Sequence, residues 1–285
     1  MDYLLIILLC TLSTSKVITQ GAFARKNVKT VNDSSLFNGL IFVFSALLFV
    51  WRAVGASPMI LPFAAVFGVL SVIFQICYTG AMIEGNISLT VLMVNLSMII
   101  PMGVSYFVFG EGMSPLRIVG IVLTVITFFV VTEFKGKGKT SGKWLLLAVL
   151  AMLADGGANV VLKFFGESQW RDEREAFVSC AYIVAAIASL TFYLLTSRRG
   201  KGISIKRQPK IFLIAAITGA ILALFQLVNA FAVDRIDGTF FFPAYTGGCI
   251  IFSVFTSIFI FKERLTVKQV VGISVGIVAL VLMNF

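Results

Sequence analysis

Long apolar runs separated by short polar segments dominate this chain from end to end. A helix that crosses a membrane needs about 17–25 mostly apolar residues, and ten runs of that length are present. They cover residues 3–24, 35–54, 60–83, 88–109, 115–133, 144–165, 177–196, 211–233, 239–261 and 267–284. Backbone groups in hydrocarbon must pair within their own segment, which favours helices over strands. The pattern therefore predicts an all-α polytopic membrane protein with ten transmembrane helices.

A segment rich in lysine and glycine, residues 135–143, separates five predicted helices before it from five after it. Because five is an odd number, equivalent helices of the two halves must cross the bilayer in opposite directions. This arrangement is the inverted-topology repeat that many secondary transporters use. We therefore expect a first five-helix repeat over residues 1–134, a cytoplasmic linker over 135–143 and a second, inverted repeat over 144–285.

One polar hinge between apolar runs occurs twice. Residues 107–121 align with residues 259–273, and six of the fifteen pairs are identical. The identical pairs include one acidic residue and one glycine in each copy: Glu111 and Gly120, and Glu263 and Gly272. Such a repeat supports duplication of the whole unit. An acid just before a helix can accept backbone hydrogen bonds or meet the helix dipole, so we expect these four residues to form structural hinges.

The composition excludes an ordinary water-soluble protein. The chain has 285 residues, of which 59% are hydrophobic and only 13% are charged, whereas soluble domains are usually about 25% charged. Lys and Arg concentrate in the odd-numbered loops, which hold 16 of them against 5 in the even-numbered loops. The positive-inside rule therefore predicts that both termini lie outside. These loops account for the net charge of +10, so we expect no nucleic-acid partner.

The two hinges share a short motif, in which a glutamate is followed by a hydroxyl residue and then by a glycine: Gly110-Glu111, Ser114 and Gly120, and Glu263, Thr266 and Gly272. With ten predicted helices in two halves, this motif resembles the EamA-type members of the drug/metabolite transporter superfamily. The resemblance implies a carrier of small organic metabolites, often an exporter, with a central cavity in a protein of the plasma (inner) membrane. It also implies termini inside, opposite to the loop charge, and both orientations stay open here.

Two residues of opposite charge lie near the middle of predicted helices. Lys16 is thirteen residues into the first apolar run, and Asp155 is eleven residues into the sixth. A charge at the bilayer centre costs about 2.5–3.5 kcal/mol on insertion scales, so such residues are functional candidates. We expect both side chains to face a shared aqueous cavity and to bind substrate there. The alternatives are a permanent structural ion pair, or a lysine that reaches the membrane surface.

Uncharged polar residues inside the other runs complete the predicted site. The substrate-binding candidates besides the two charges are amides and tyrosines: Gln75, Tyr78, Asn95, Asn159, Gln226, Asn229 and Tyr245. Gln75 and Gln226 are related by the repeat, and they fit a binding site as well as they fit hydrogen bonds between helices. Lys163 lies near the end of its run, where we expect the side chain to extend to the interface.

The chain contains no histidine, no P-loop and no HExxH motif, so we expect neither an enzyme nor a cofactor or metal site. Energy must then come from a gradient or from exchange, with possible proton coupling at Asp155. The sequence predicts a secondary carrier in the lipid bilayer that works by alternating access; a channel or a membrane scaffold is the alternative. The mixed polar groups suit an amino acid, another zwitterion, an organic cation or a small polar metabolite.

Overall fold

The fold consists of helices joined by short segments. A computed structural model describes residues 2–28, 30–84, 90, 93–131, 142–197, 210–259, 271, 274–275, 278–279 and 282. The longer helices in this part of the chain are α1 (Asp2–Asn27), α2 (Val31–Leu47), α3 (Leu61–Glu84), α4 (Ile99–Phe107), α5 (Pro115–Val131), α6 (Gly142–Gly166), α7 (Arg174–Ser197), α8 (Ile211–Arg235) and α9 (Gly238–Phe259). Short helical turns at Val50–Ala53, Pro58–Ile60, Leu96–Met98 and Arg171–Glu173 lie between them.

Five of the described helices are long and apolar enough to cross a membrane. They are Tyr3–Gln20, Pro58–Glu84, Gly142–Gly166, Arg171–Thr196 and Ile211–Arg235, and a shorter apolar helix covers Met93–Phe107. The prediction of an all-helical, multi-pass membrane protein is thereby confirmed. The first nine predicted runs each overlap a helix, whereas only six of the eighteen residues of the tenth are among the described residues. The count of ten and the inverted relation of the halves stay predictions.

The second helix differs from its predicted bounds at both ends. It begins at Val31, earlier than expected, because Thr30 and Asp33 form a capping box. Thr30 Oγ1 accepts the backbone N–H of Asp33 at 3.1 Å, and Asp33 Oδ2 accepts the backbone N–H of Thr30 at 3.2 Å. These reciprocal bonds satisfy two of the donors that a helix start leaves unpaired. At the other end α2 stops at Leu47, and the short helix Val50–Ala53 replaces its expected last turn.

Helices of the first half pack mainly against helices of the second half. α1 contacts α8 and α9, and α6 makes the corresponding contacts with α3 and α4. α2 packs on α7 and α8, while α7 packs on α2 and α3. The halves therefore share one large apolar core, in which Phe67 and Phe165 both pack against the ring of Phe177. Helices at equivalent positions in the two halves contact partners that are also at equivalent positions, as they would if the halves were related by a twofold axis.

Buried hydroxyl groups join the helices at the centre of this core. Ser45 Oγ on α2 donates to the carbonyl oxygen of Gly219 on α8 at 2.8 Å. Ser189 Oγ on α7 donates to the carbonyl oxygen of Ser35 on α2 at 2.9 Å. Hydrogen bonds between membrane helices contribute about 0.6–2 kcal/mol each, so these bonds hold α2 in register with both neighbours.

Candidate functional site

One face of α1 presents three polar side chains to the interior of the bundle. Ser13 interacts with side chains of α9, and Lys16 Nζ lies 5.7 Å from the centre of the Phe74 ring on α3. Gln20 hydrogen-bonds to α2 and to α3. Residues spaced by three or four positions lie on one side of a helix. That side of α1 faces α3 and α9, so the polar groups are turned away from the lipid.

Lys16 and Asp155 form the charged centre of this region. Their charges interact with each other, yet Lys16 has no carboxylate within 4.0 Å among the described residues. Both side chains keep part of their surface accessible, although each lies near the middle of a long helix. The two opposite charges therefore interact without forming a direct ion pair among the described residues. This geometry is not that of a closed structural ion pair.

The turn before α4 holds the Asp155 carboxylate. Ser97 Oγ donates to Asp155 Oδ2 at 2.5 Å. This approach depends on Gly156, because a Cβ at that position would lie 2.9 Å from the Ser97 carbonyl oxygen and 2.5 Å from Ile100 Cδ1. A glycine is therefore needed for α6 to pack this closely against the turn. Adjacent residues thus cooperate, since Asp155 supplies the carboxylate and Gly156 lets the hydroxyl reach it.

Aromatic rings lie beside the charged centre. Phe74 and Tyr78 on α3 stack with their ring centroids 5.2 Å apart. The Tyr78 hydroxyl is close enough to Asp155 to interact electrostatically with it. On α9, Tyr245 stacks on Phe241 at a centroid distance of 6.0 Å. The two predicted tyrosines therefore come from different halves of the chain: Tyr78 interacts with Asp155, and Tyr245 interacts with Ser13, three residues before Lys16 on α1.

Gln75 belongs to a buried amide network that joins α1, α2 and α3. Its Oε1 accepts a hydrogen bond from Gln20 Nε2 at 3.4 Å, and Gln20 Nε2 also donates to Asn38 Oδ1 at 3.2 Å. Asn38 Nδ2 donates to Thr79 Oγ1 at 3.4 Å. Gln75 is only 2% exposed, and its Nε2 has no hydrogen-bond partner within the described residues. The network thus both bridges helices and keeps one buried donor unused.

The other predicted amides divide into two groups. Asn159 Nδ2 donates to the carbonyl oxygen of Asp155 at 3.0 Å, and Asn229 Nδ2 donates to Asn159 Oδ1 at 3.5 Å. These two amides therefore meet one turn from the carboxylate. Gln226 Nε2 and Asn95 Nδ2 are buried and have no hydrogen-bond partner in the described part of the chain. No hydrogen bond there joins either of them to the charged centre.

The first hinge connects the two halves of the chain. Gly110 has a φ of 68°, a left-handed conformation that glycine adopts without strain. This turn places the Glu111 side chain beside α9, where Glu111 Oε2 accepts the backbone N–H of Thr239 at 3.0 Å. Thr239 is the second residue of α9. Glu111 therefore stabilises the start of a helix in the second half, rather than that of α5, which follows it in the sequence.

The structure gives less information on the other three predicted hinge residues, Gly120, Glu263 and Gly272. Gly120 is buried within α5. Glu263 and Gly272 lie outside the described residues, so the expected role of the second hinge stays a prediction.

The prediction that Lys163 extends to the membrane interface is wrong. Lys163 is 2% exposed, and its Nζ lies 2.5 Å from Glu111 Oε1 and 2.8 Å from Glu167 Oε1. Glu167 is one turn away on the same helix, whereas Glu111 comes from the hinge of the first half. The long side chain is therefore enclosed by its two ion-pair partners, of which Glu111 is 11% exposed and Glu167 is 45% exposed, instead of ending in water itself.

Ser97 and Phe74 contact the charged centre but are not among the residues predicted from the sequence. A serine in an apolar helix is common, and Phe74 is one of 28 phenylalanines. The one available signal for Phe74 is the Phe-Gln pair that recurs at Phe225-Gln226. Nothing comparable marks Ser97, whose importance depends on a packing contact with α6 that is distant in the sequence.

Comparison with known proteins supports this architecture. The sequence model of the family described as the EamA-like transporter family matches residues 142–285, just over half of the chain. A solved crystal structure, described only as that of a protein, superposes with a TM-score of 0.74 over 99% of this chain and 95% of its own. The sequence identity in that superposition is 11%, so the similarity concerns the fold alone. No curated protein matches the sequence.

Proposed function

Because the chain belongs to the EamA-like transporter family, we propose that it is a secondary carrier that moves a small organic metabolite across the plasma (inner) membrane by alternating access. Members of this family are membrane transporters rather than enzymes. The observation that carries the proposal is the arrangement of Lys16 and Asp155, whose charges interact without a direct ion pair and which are both partly exposed in the middle of α1 and α6. Inverted-repeat carriers bind substrate near the bilayer midplane, between the two halves.

The unpartnered polar groups of the region favour a substrate that supplies hydrogen-bond acceptors. The buried side-chain nitrogen of Gln75 lacks an acceptor in the described part of the chain, and Lys16 has no carboxylate within 4.0 Å there. Asp155, the acceptor at the centre, already receives the Ser97 hydroxyl. Leaving a buried donor unpaired costs about 1–3 kcal/mol. Among the expected substrates, an amino acid, another zwitterion or a polar metabolite with a carboxylate therefore fits better than a simple organic cation.

Asp155 is also the residue that we propose for proton coupling. It is the acidic member of the charged centre, and its carboxylate can exchange a bound proton for the positive charge of Lys16 or of a substrate. Such intramembrane carboxylates serve as proton relays in many transporters. A carrier coupled in this way would accumulate substrate when a pH gradient is imposed across proteoliposomes.

The function is tested by ligand binding and counterflow. Thermal unfolding of the purified protein is measured with glycine, acetate and ethylamine as matched probes, because a ligand of the folded state raises its apparent stability. The probe series is then extended to larger amino acids and carboxylates, and the compound that stabilises most is used radiolabelled in proteoliposomes. We expect a transient overshoot of labelled compound in counterflow.

The site is tested in the same assay with Lys16→Met and Asp155→Asn. Both variants should lose most of the overshoot, whereas Lys143→Met, which breaks an exposed ion pair with Glu84, should not. Near-normal counterflow by both site variants would contradict the proposed site. Equilibration of label without any overshoot would indicate a channel and contradict the carrier.

A further inference from the structure

The most completely buried ion pair of the described residues, Lys163 with Glu111, lies away from the proposed site, at one end of the bundle. We call this the hinge end, where residues 108–114, the last turn of α6 and the first turn of α9 meet. Lys163 lies between the carboxylates of Glu111 and Glu167, and its Nζ is 5.4 Å from the centre of the Phe109 ring. Two of these groups belong to the first half of the chain and two to the second half.

The two carboxylate oxygens of Glu111 contact two different helices of the second half. Oε1 contacts Lys163 at the end of α6, and Oε2 accepts the backbone N–H of Thr239 at the start of α9. The next hinge residue contributes as well, because Thr239 Oγ1 donates to the carbonyl oxygen of Gly112 at 3.1 Å. One short segment of the first half is thus held to two helices of the second half by charged and polar contacts, beside the packing of Phe109 against Phe164 of α6.

These contacts differ from the other ion pair that joins the halves at the same end. Arg52 and Glu175 lie 2.6 Å apart but are 61% and 38% exposed, and exposed pairs contribute little to stability. Lys163 and Glu111 are 3% and 11% exposed. A buried ion pair is weak evidence for stability, and a role in selecting one of two arrangements is the better-supported reason for having it.

The cluster is mechanically connected to the proposed site through α6. Asp155, Asn159 and Lys163 follow one another at steps of four residues, so they lie along one face of that helix. A movement of α6 relative to the hinge that widened the space around Asp155 would also separate Lys163 from Glu111. The ion pair and access to the site are therefore linked by a rigid element.

We propose that Glu111 and Lys163 form a latch between the halves, which closes the path from the hinge end to Asp155 while the pair is intact. Separation of the pair frees residues 108–114 from α6 and α9 and opens that path. The proposal rests on the carrier function proposed above, since a latch has a role only if the site is reached from alternate ends.

The latch is tested by the accessibility of a cysteine placed between the cluster and the carboxylate. Asn159→Cys is introduced into a chain in which the four native cysteines are replaced by alanine: Cys10, Cys77, Cys180 and Cys249. Sealed vesicles of both orientations are treated with a charged, membrane-impermeant methanethiosulfonate reagent. The labelling rate is thereby measured separately from the hinge end and from the opposite end.

Glu111→Gln is the main latch variant, because its amide oxygen can still accept the Thr239 N–H while the charge is lost. Lys163→Met is the second variant, and Arg52→Met is the control for an exposed pair at the same end. We expect labelling from the hinge end to rise by about 5- to 150-fold, the range of ordinary conformational couplings. Labelling from the opposite end should fall in the same variants, and Arg52→Met should leave both rates unchanged.

The possible outcomes separate the latch from the carrier function. Unchanged rates in both latch variants overturn the latch and leave the carrier proposal in place. Rates that rise together from both ends show loosened packing and also overturn the latch. If Asn159→Cys is labelled from neither end in any variant, the site is not reached from water, and the proposed function fails together with the latch.

Discussion

Replacing Gly156 by alanine tests the contact that brings a hydroxyl group to the site carboxylate. A Cβ there would meet Ile100 Cδ1 at 2.5 Å and the Ser97 carbonyl oxygen at 2.9 Å. The isoleucine methyl can rotate away, whereas the carbonyl belongs to the backbone and moves only with its whole turn. Gly157 offers a matched control on the same helix, because a Cβ there meets only Leu70, with its nearest atom at an ordinary 3.4 Å.

The expected difference between the two variants comes from packing. Alanine is preferred over glycine in a helix by about 0.8–1.0 kcal/mol, and both substitutions gain this preference. Gly157→Ala should therefore leave the free energy of unfolding unchanged or increase it. Gly156→Ala adds overpacking, which costs about 1–3 kcal/mol. At about 2 °C per kcal/mol for a chain of this size, Gly156→Ala should have a Tm about 2–6 °C below that of Gly157→Ala.

Thermal unfolding of both variants in one detergent, followed by tryptophan fluorescence, measures this difference. Relief of the strain should also move the Ser97 hydroxyl away from Asp155, so counterflow by Gly156→Ala should fall while Gly157→Ala stays near normal. Equal Tm values, or a higher Tm for Gly156→Ala, would show that α6 does not pack against the Ser97 turn as described. The role assigned to the glycine at the site would then be wrong.

Three further substitutions should give graded changes in Tm under the same conditions. Ser45→Ala removes a buried hydroxyl that donates a hydrogen bond from α2 to α8. Because such a bond contributes about 0.6–2 kcal/mol, its loss should lower Tm by about 1–4 °C. An unchanged Tm would contradict a stabilising role for that hydrogen bond. Thr30→Ala removes the capping box of α2 and should cost about 0.5–2 kcal/mol, seen as a lower Tm and faster amide exchange in the first turn. Arg52→Met breaks an exposed pair with Glu175 worth about 0.2–1 kcal/mol, so a fall in Tm of more than about 2 °C would show that this pair matters more than its exposure suggests.

The helices could be predicted because a membrane span leaves a signal in each stretch of sequence taken alone. Apolar runs of sufficient length correspond to α1, α3, α6, α7 and α8, which are long and apolar enough to cross a membrane. The bounds of α2 were harder to predict, since the capping box at Thr30 and Asp33 extends the helix into a polar stretch. Local polar chemistry there outweighs hydropathy.

The candidate site was predictable only in part. Steps of three and four residues are enough to put Ser13, Lys16 and Gln20 on one face of α1, and a step of four aligns Asp155 with Asn159 on α6. It could not show which helices those faces meet. The Ser97 hydroxyl that contacts Asp155 and the Phe74 ring that lies beside Lys16 come from elements that are far away in the sequence. The spacing of residues along one helix cannot predict such contacts with another helix.

Lys163 shows most clearly where the sequence stops being sufficient. Its position near a helix end predicts a side chain that reaches water, and that expectation is sound for an isolated helix in lipid. In the folded protein the hinge of the first half brings Glu111 to the same place, so the ammonium group is buried in an ion cluster.

The sequence by itself determined that this is a helical membrane protein and where its five long apolar helices lie. Only the tertiary structure decided that Lys16 and Asp155 stay apart while Lys163 and Glu111 pair. The physical reason is that hydropathy acts residue by residue along the chain, whereas the partner of a charge depends on how helices from two distant halves pack together.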